Sequence, residues 1–490
     1  MPNRRSRGPG TAARIGQGVL GAAALSAAAL LLPAAAQAQD AGDAAAAGQP
    51  GFLAGLWTQS TLLGDMGGLR STLGRYGITL GLQETSEVLG NVSGGTRQGA
   101  EYDGLTTLTL DADLQKALGW TGGTFHLSAL QIHGRNLSAD DLDTLQAASG
   151  IEAKDSTRLW ELWYQQALPG GKADVRVGQQ SIDQEFMVSA YSSLFMNAAM
   201  GWPVLPAADL YAGGPAYPLS APGIRLHVQA TDSVSVLAGV FDDNPPGGPF
   251  AADSELRGAE RAGVKFNLDN GALFIGELQY AVNQPASGAG ASDPAPSGLP
   301  GTYKLGVWYD TAAFPDQQDD SNGLSLASPN SNGIPAARGG NFSVYALADQ
   351  MVWRAGGKDP QAVGLFARVM GAPSDRNLVS ASFDAGVSLK APLPGRDNDT
   401  FGIGYGMAEI SSAARALDRE EAAAAGNTSP IGSSEQFIEV TYQIQLAPWW
   451  QLQPDFQYVF NPGGGVVDPD NPARTVGNEA ILGLRTNITF

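Results

Sequence analysis

The sequence contains no cysteine and little positive charge, and these two absences exclude several classes of protein. Its 490 residues include no Cys and three His, and 29 Lys or Arg stand against 48 Asp or Glu. Without cysteine, the chain has no disulfide framework and no thiol chemistry. A formal net charge of −19 leaves no basic face for a nucleic acid, so we expect no nucleic-acid partner.

Long apolar runs are also scarce, and the longest lies near the start of the chain. It spans residues 19–32, follows four arginines within residues 4–14, and precedes a small-residue Ala-Gln-Ala sequence at 36–38. This pattern predicts a cleavable export signal over residues 1–38, with a membrane anchor as the alternative. The run is shorter than the about 20 residues that span a bilayer, and no later run approaches that length. An exported chain of this kind can enter a membrane only as a closed β-barrel.

The rest of the chain predicts one large β domain. Residues 39–63 are rich in Ala and are predicted to be mobile, and no internal linker divides residues 64–490. A short helix is predicted over residues 69–75, ended by Gly77 in a left-handed conformation. From Ile78 to Phe490, apolar and polar residues alternate with a period of two, which is typical of strands.

The number and character of these strands favour a membrane barrel over a soluble sheet. We count about seventeen candidate strands, among them residues 262–268, and bacterial single-chain barrels use an even number. The sequence therefore predicts an all-β fold, a closed antiparallel transmembrane β-barrel of about 16 strands, with 18 as the alternative. Residues 284–301 and 315–340 are predicted to be loops, and the long loops are expected at the outer face of the membrane.

Residues 181–222 interrupt the strand pattern with a long loop rich in aromatic and acidic side chains. A loop of this length inside a β-rich chain is more often functional than a plain connection. We interpret it as a segment that folds into the barrel lumen and narrows it. The alternative is a surface loop with a small core of its own.

Several motifs occur in the same order as in a known family. They include GDMGGLRSTLGRYGI at 64–78, LDADLQKALGWTGGTFHL at 110–127, HGRNLS at 133–138 and RVGQQSIDQEF at 176–186. Eight such motifs resemble the carbohydrate-selective porin family of the OprB type. The resemblance implies a 16-stranded outer-membrane barrel that passes monosaccharides such as glucose by facilitated diffusion. It also implies that Arg135, in the GRN-like motif, projects into the constriction.

Candidate solute contacts follow from what a sugar requires, namely partners for its hydroxyls and an aromatic face for its ring. The candidate pore and sugar-contact residues are Arg135, Asn136, Glu161, Trp163, Asp183, Glu185, Phe186, Asn197 and Trp202. Arg135 is the candidate donor, the carboxylates are candidate acceptors, and the aromatic rings are candidate platforms. The alternatives are a loop salt bridge for Arg135, solvated or arginine-paired carboxylates, and a packing role for Trp202.

Nothing in the sequence favours catalysis or a bound cofactor. The three histidines have no companion at metal-ligand spacing, and the acid pairs at 140–141 and 242–243 are interpreted as solvated loop residues. We therefore expect no enzyme activity, no metal and no cofactor. The expected partners are small carbohydrates and outer-membrane lipid, with a monomer or a homotrimer left open. The alternative functions are a general or differently selective porin and a barrel-anchored surface enzyme or adhesin.

Overall fold

A computed structural model describes residues 55–248, 261–268, 271–284, 298–356, 359–426, 430–469, 471 and 474–490. These residues form sixteen antiparallel strands in one closed barrel. Each strand pairs with its neighbours in sequence, and the first strand pairs with the last. The structure confirms the predicted closed barrel and its strand number. The predicted export signal and the Ala-rich residues up to 54 lie outside the described residues.

The elements follow in a simple order along the chain. The strands are β1 Ile78–Ser93, β2 Ala100–Asp113, β3 Gly123–Gly134, β4 Ser156–Ala167, β5 Ala173–Gln180, β6 Ala221–Gln229, β7 Val234–Asp242, β8 Ala272–Val282, β9 Gly301–Asp320, β10 Pro335–Arg354, β11 Ala362–Gly371, β12 Val379–Lys390, β13 Thr400–Ile410, β14 Ser434–Ala447, β15 Trp450–Phe460 and β16 Glu479–Thr489. The helices are α1 Leu69–Arg75, α2 Leu114–Leu118, α3 Ala198–Gly201, α4 Val204–Asp209 and α5 Ser412–Ala425. Within the described residues, none of these helices has the length and hydropathy needed to cross a membrane.

The structure corrects two predictions about individual segments. Residues 261–268 form no strand, because β7 pairs directly with β8 and leaves no place for a strand between them. Residues 315–340 are only partly a loop, since β9 continues to Asp320 and β10 begins at Pro335. The sequence PDQQDD at 315–320 is polar on both faces, so it lacks the alternation by which the other strands are recognised.

The two faces of the strands differ in polarity as a membrane barrel requires. On β9, Leu305, Val307 and Tyr309 point outward and are exposed, whereas Trp308 and Asp310 point inward and are buried. The same alternation recurs on the other long strands. An apolar outer face suits contact with lipid, and a polar inner face suits contact with water or an inserted loop.

The two ends of the barrel carry different connections. The short turns β2–β3, β4–β5, β6–β7, β10–β11, β12–β13 and β14–β15 lie together at one end, which we call the turn end. The opposite end, which we call the loop end, carries the connections that include residues 135–155, 181–220 and 411–433. In bacterial barrels the short turns face the periplasm. β8 ends at Val282 and β9 begins at Gly301, both at the turn end, so the long connection between these two described positions starts and finishes there, which corrects the expectation that the long loops are all at the outer face.

Residues before β1 pack against the turn end, where the barrel closes. The Trp57 ring lies 6.3 Å from that of Trp449, and the Leu62 amide donates to the Thr489 carbonyl at 2.8 Å. The predicted helix over 69–75 is confirmed, and Gly77 follows it with a φ of 77°. A Cβ at Gly77 would lie 2.8 Å from the Lys116 Cβ, so both its φ and its surroundings favour glycine. Residues 55–63, assigned to the N-terminal segment from the sequence, thus include contacts with the barrel.

The segment 181–220 between β5 and β6, which we call the inner loop, folds into the lumen as predicted. Its Phe186 ring packs edge-on against Phe241 at 6.5 Å, and its Phe195 ring lies 5.6 Å from Phe366. These side chains belong to one buried cluster that joins the inner loop to inward residues of β7 to β16. The larger buried cluster therefore lies between the inner loop and β7–β16, and a smaller one packs Tyr217 of the inner loop against β2–β4.

A patch of bare backbone on β11 and β13 lets the inner loop approach the wall closely. Gly364, Gly402 and Gly404 have no side chain to separate the two surfaces. A Cβ at Gly364 would lie 2.1 Å from Cε1 of Tyr191, and one at Gly404 would lie 2.9 Å from Cε1 of Phe195. The shape of the wall thus complements the shape of the loop.

Candidate functional site

Buried charges on the wall hold the inner loop through its backbone. The Glu277 carboxylate accepts the Met187 amide at 2.8 Å, and Asp349 accepts the Ala190 amide at 2.8 Å. Glu439 accepts the Asn197 amide at 3.1 Å. Because a buried carboxylate without partners is costly, these bonds fix both the acids and the loop.

One arginine on the same wall holds the inner loop from the other direction. Arg368, on β11, donates to the carbonyls of Met187 and Gly201 at 3.0 Å each, and also to that of Ala199. It is buried beside Asp384, which lies 3.0 Å from its Nη2. The loop is therefore attached to β8–β14 by charged hydrogen bonds as well as by apolar packing.

The opposite wall and Glu185 of the inner loop together form a group of charged and polar side chains, which we call the arginine cluster: Arg176, Arg225, Gln165, Asp174 and Glu185. Arg176 and Arg225 are direct neighbours on β5 and β6. Glu185 of the inner loop accepts from Arg225 Nε at 2.6 Å and lies 3.1 Å from Arg176 Nη2. Gln165 Oε1 accepts from Arg176 Nη2 at 2.9 Å, and Asp174 pairs with Arg225. The acids neutralise two like charges that face each other across the sheet.

An aromatic group borders the arginine cluster. The Trp163 ring stacks on His126 at 4.7 Å, and the Arg176 guanidinium carbon lies 3.9 Å from the Trp163 ring centroid. Glu161 accepts the Ser181 amide at 3.0 Å and lies 3.7 Å from His126 Nε2. Glu161 and Trp163 thus point into the lumen, and both are at least nine-tenths buried by these contacts.

The predicted loop acids serve different contacts. Glu185 belongs to the arginine cluster and keeps 21% of its side chain exposed. Asp183 instead accepts the Ser181 hydroxyl at 2.6 Å and the Tyr217 amide at 3.1 Å, which joins the two ends of the inner loop. Burial raises the pKa of Asp183 to about 6, against the hydrogen bonds that lower it.

Three other predicted contacts are enclosed by protein in this structure, which corrects their expected positions. Phe186 and Trp202 are each 1% exposed, so their ring faces meet the buried cluster instead of a solute. Trp202 Nε1 donates to the Gly213 carbonyl at 2.9 Å, the contact of a packing anchor. Asn197 caps α3 by accepting the Ala199 amide at 3.0 Å and is fully buried.

Arg135 and Asn136 lie apart from the arginine cluster, at the loop end of β3. The Arg135 side chain is 62% exposed, and its Nε lies 3.7 Å from Glu101 and 3.6 Å from Asp140. Asn136 accepts the Ala139 amide at 2.8 Å and starts the turn Ser138–Leu142. His126, beside Trp163, is nine residues earlier on the same chain, which corresponds to about 30 Å of strand. The structure therefore does not bring Arg135 and Asn136 together with Trp163 and Glu185.

Arg176 and Arg225 were not predicted as site residues, although the sequence contains a signal for them. Arg176 lies between two valines, and Arg225 lies between Ile224 and Leu226. An isolated charge between outward apolar residues points inward by strand alternation. Within the described residues, no group of three or more His, Asp or Glu is arranged to hold a metal ion.

A closed barrel with an apolar outer face, a charged inner wall and a loop folded across the lumen defines a porin. The family model described as "Carbohydrate-selective porin, OprB family" matches residues 97–490. The chain therefore belongs to the carbohydrate-selective porin family of the OprB type, and it is an outer-membrane carbohydrate porin.

Individual relatives agree with this assignment over most of their length. The chain is 26% identical over 446 residues to Porin B of Pseudomonas aeruginosa, covering 88% of this chain and 91% of that one. It is 24% identical over 464 residues to the putative porin QuiX of Acinetobacter baylyi, covering 89% and 94%. The high-pH structure of Pseudomonas putida OprB matches with a TM-score of 0.75 and 25% identity, covering 88% of this chain and 99% of that one.

Proposed function

We propose that the chain passes glucose-like monosaccharides into the periplasm by facilitated diffusion, with Arg176 and Glu185 as solute contacts at the edge of the inner loop. The observation that carries this proposal is the arginine cluster. It presents guanidinium donors and a carboxylate acceptor side by side at the edge of the inner loop, and the side chains of Arg176 and Glu185 remain 14% and 21% exposed.

The chemistry of the cluster suits a hydroxylated, uncharged solute. Sugar hydroxyls both donate and accept, so they can exchange hydrogen bonds with Arg176 and Glu185 without a net change in charge. The acids of the cluster compensate the arginines, which limits the attraction for an ion of either sign. Contacts of this kind are weak enough for a solute to leave on either side. Arg135 and Asn136 are proposed as contacts at the outer mouth, where they are exposed.

The transport proposal is tested with liposomes that contain the refolded mature protein. We expect fast, saturable entry of glucose, slower entry of a disaccharide, and slow entry of a charged solute of similar size. Entry that depends on size alone would instead indicate a general pore. The same experiment with Arg176→Gln and Glu185→Gln is expected to weaken saturation by glucose.

We also infer that the solute crosses unchanged. The charged groups of the cluster are bound to one another and to Gln165, which suits reversible contact with hydroxyls. Chromatography of the sugar recovered inside the liposomes should return only the sugar supplied. A hydrolysed or modified product would contradict this part of the proposal.

A further inference from the structure

A cavity of about 430 Å³ opens beneath the inner loop on the side of the barrel opposite the arginine cluster. It is lined by Tyr191 and Ser193 of the inner loop and by Ser388, Lys390, Thr400 and Gln443 of the wall, together with smaller apolar residues. These wall residues lie on β12, β13 and β14, eight strands around the barrel from β4, β5 and β6. Its volume falls within the range of about 300–1,000 Å³ that small-molecule sites occupy.

The polar residues of the cavity form a continuous row at the turn end. Thr400 is the cross-strand neighbour of both Lys390 and Gln443, so the three side chains stand next to one another on the inner face. Lys390 is the last residue of β12 and Thr400 is the first of β13. The row therefore lies where a solute that has passed the inner loop would reach the periplasm.

An aromatic ring completes the cavity from above. Tyr191 packs over Gly364, where a Cβ would lie 2.1 Å from its Cε1, and the ring is only partly buried. The ring thus rests on bare backbone while it borders the cavity. A partly exposed aromatic face beside several hydroxyl and amide groups is the chemistry that accepts a pyranose, whose ring carbons are apolar and whose edge is polar.

The charge of Lys390 is uncompensated within the described residues. Lys304, another lumen lysine, lies 3.5 Å from Glu277, but no carboxylate lies within 4.0 Å of the Lys390 ammonium in that part of the chain. The ammonium has a long contact of 3.4 Å to the Asn398 carbonyl. It therefore retains donors that a sugar hydroxyl can accept.

We propose that this cavity, the exit site, is a second contact site for a single uncharged pyranose, separate from the arginine cluster. Tyr191 supplies the ring platform, and Lys390 and Gln443 bind the hydroxyls. The inference rests on the proposed sugar transport and adds a second binding site on the periplasmic side. A solute then passes from one weak site to another on its way to the periplasm, which favours release over trapping.

The test measures ion current through single channels in a planar bilayer, with glucose added to one side at a time. We compare the wild type with Lys390→Met, Gln443→Leu and Tyr191→Leu. Each variant is expected to raise the glucose concentration for half-maximal current block by about 3- to 10-fold, the range of one hydrogen bond or ring contact. The increase should be larger when glucose is added at the turn end. Lys172→Met, which removes an exposed lysine from the β4–β5 turn, is the matched control and should leave the block unchanged.

The outcomes separate this inference from the proposed function. Saturable block in the wild type with no change in Lys390→Met and Gln443→Leu would overturn the exit site and leave the transport proposal standing. No saturable block in the wild type would overturn both. If gluconate blocks the channel, glucose does not, and the block is lost in Lys390→Met, the cavity is an anion site and the pyranose assignment is overturned. Tyr191 belongs to the inner loop, whereas the Lys390 ammonium contacts the Asn398 carbonyl in the β12–β13 turn, so Lys390→Met decides the result.

Discussion

Two groups of charged residues in this barrel, the loop-holding acids of β8–β14 and the arginine cluster, are used in opposite ways. On β8–β14, carboxylates such as Glu439 are fully buried and accept backbone amides of the inner loop. On β5 and β6, Arg176 and Arg225 pair with Glu185 of the inner loop, and the side chains of Arg176 and Glu185 keep part of their surface open. In the first arrangement, the carboxylates use their hydrogen bonds to hold the loop. In the second, part of the surface of Arg176 and Glu185 remains available for hydrogen bonds to a solute.

This difference indicates which lumen charges belong to the structure and which belong to transport. A buried charge that loses its partner is strongly destabilising, so the loop-holding wall should respond to mutation in stability. Arg176 and Glu185 keep part of their surface open, and Glu185 retains Arg225 as a partner when Arg176 is replaced, so the arginine cluster should respond more in solute flux than in stability. Replacing one residue of each group separates these two responses.

The largest effect is expected from Arg368→Met, which leaves Asp384 buried without its cation and frees three loop carbonyls. Loss of one member of a buried pair costs about 3–5 kcal/mol. We expect a lower unfolding temperature and a larger, noisier ion conductance, measured by thermal unfolding in detergent and by single-channel recording. Adding Asp384→Asn should restore part of the stability. An unchanged conductance would show that the loop is held without Arg368.

A smaller effect on stability, and one that depends on pH, is expected at the junction of the inner loop. Burial raises the pKa of Asp183 from 3.8 to about 6, so the folded protein binds this proton more tightly than the unfolded chain does. The associated stability is present below about pH 4 and is lost as the pH rises through about 6, up to about 3 kcal/mol. The unfolding temperature of the wild type should therefore fall more between pH 4 and 7 than that of Asp183→Asn. Asp232→Asn, at an exposed turn, should keep the wild-type slope.

On the other wall, Arg176→Gln should alter transport with little change in stability. Loss of a charged donor is expected to raise the half-saturating glucose concentration about 10-fold, the equivalent of about 1.4 kcal/mol. Liposome entry measures the flux, and thermal unfolding measures the stability. Arg75→Gln removes an exposed arginine from α1 and serves as the matched control. A large loss of stability with unchanged flux would place Arg176 with the structural charges.

The smallest effect is expected for Arg135→Ala. This side chain is 62% exposed, and its ion pairs with Glu101 and Asp140 span 3.6–3.7 Å. Exposed pairs contribute about 0–1 kcal/mol, so we expect flux to change less than 5-fold and stability to remain constant, with both measured as for Arg176→Gln. A larger effect than that of Arg176→Gln would move the selective contact from the arginine cluster to the outer mouth.

The fold was largely predictable from the sequence because strand alternation is a local signal. The prediction from alternation was wrong at residues 262–268, where alternation exists without a neighbouring strand to pair with. It was also wrong at residues 315–320, where a strand continues without alternation. Pairing depends on the closure of the whole barrel, and a local pattern does not contain that information. The sixteen-stranded barrel and the in-folded loop are nevertheless confirmed.

The site was predictable only in part, for a related reason. Parity along β4 correctly directed Glu161 and Trp163 into the lumen, and the same argument identifies Arg176 and Arg225. No such rule applies to the inner loop. There the Phe186 ring packs against Phe241 of β7, whereas the neighbouring Glu185 pairs with Arg225 of β6. Which side of a loop meets the wall is decided by contacts with residues far away in sequence.

The bare backbone at Gly364, Gly402 and Gly404 sets how closely the inner loop approaches the wall. The width of the passage can therefore change while the side chains of the arginine cluster stay the same. The inner loop contacts this part of the wall directly. A side chain added there would therefore displace the loop toward β4–β6. At Gly402 and Gly404, such a change narrows the route by moving the loop and leaves the side chains of the arginine cluster unchanged. Porins of this architecture can therefore acquire a different size limit while the groups that recognise the solute are retained, and a designer can adjust the two properties separately.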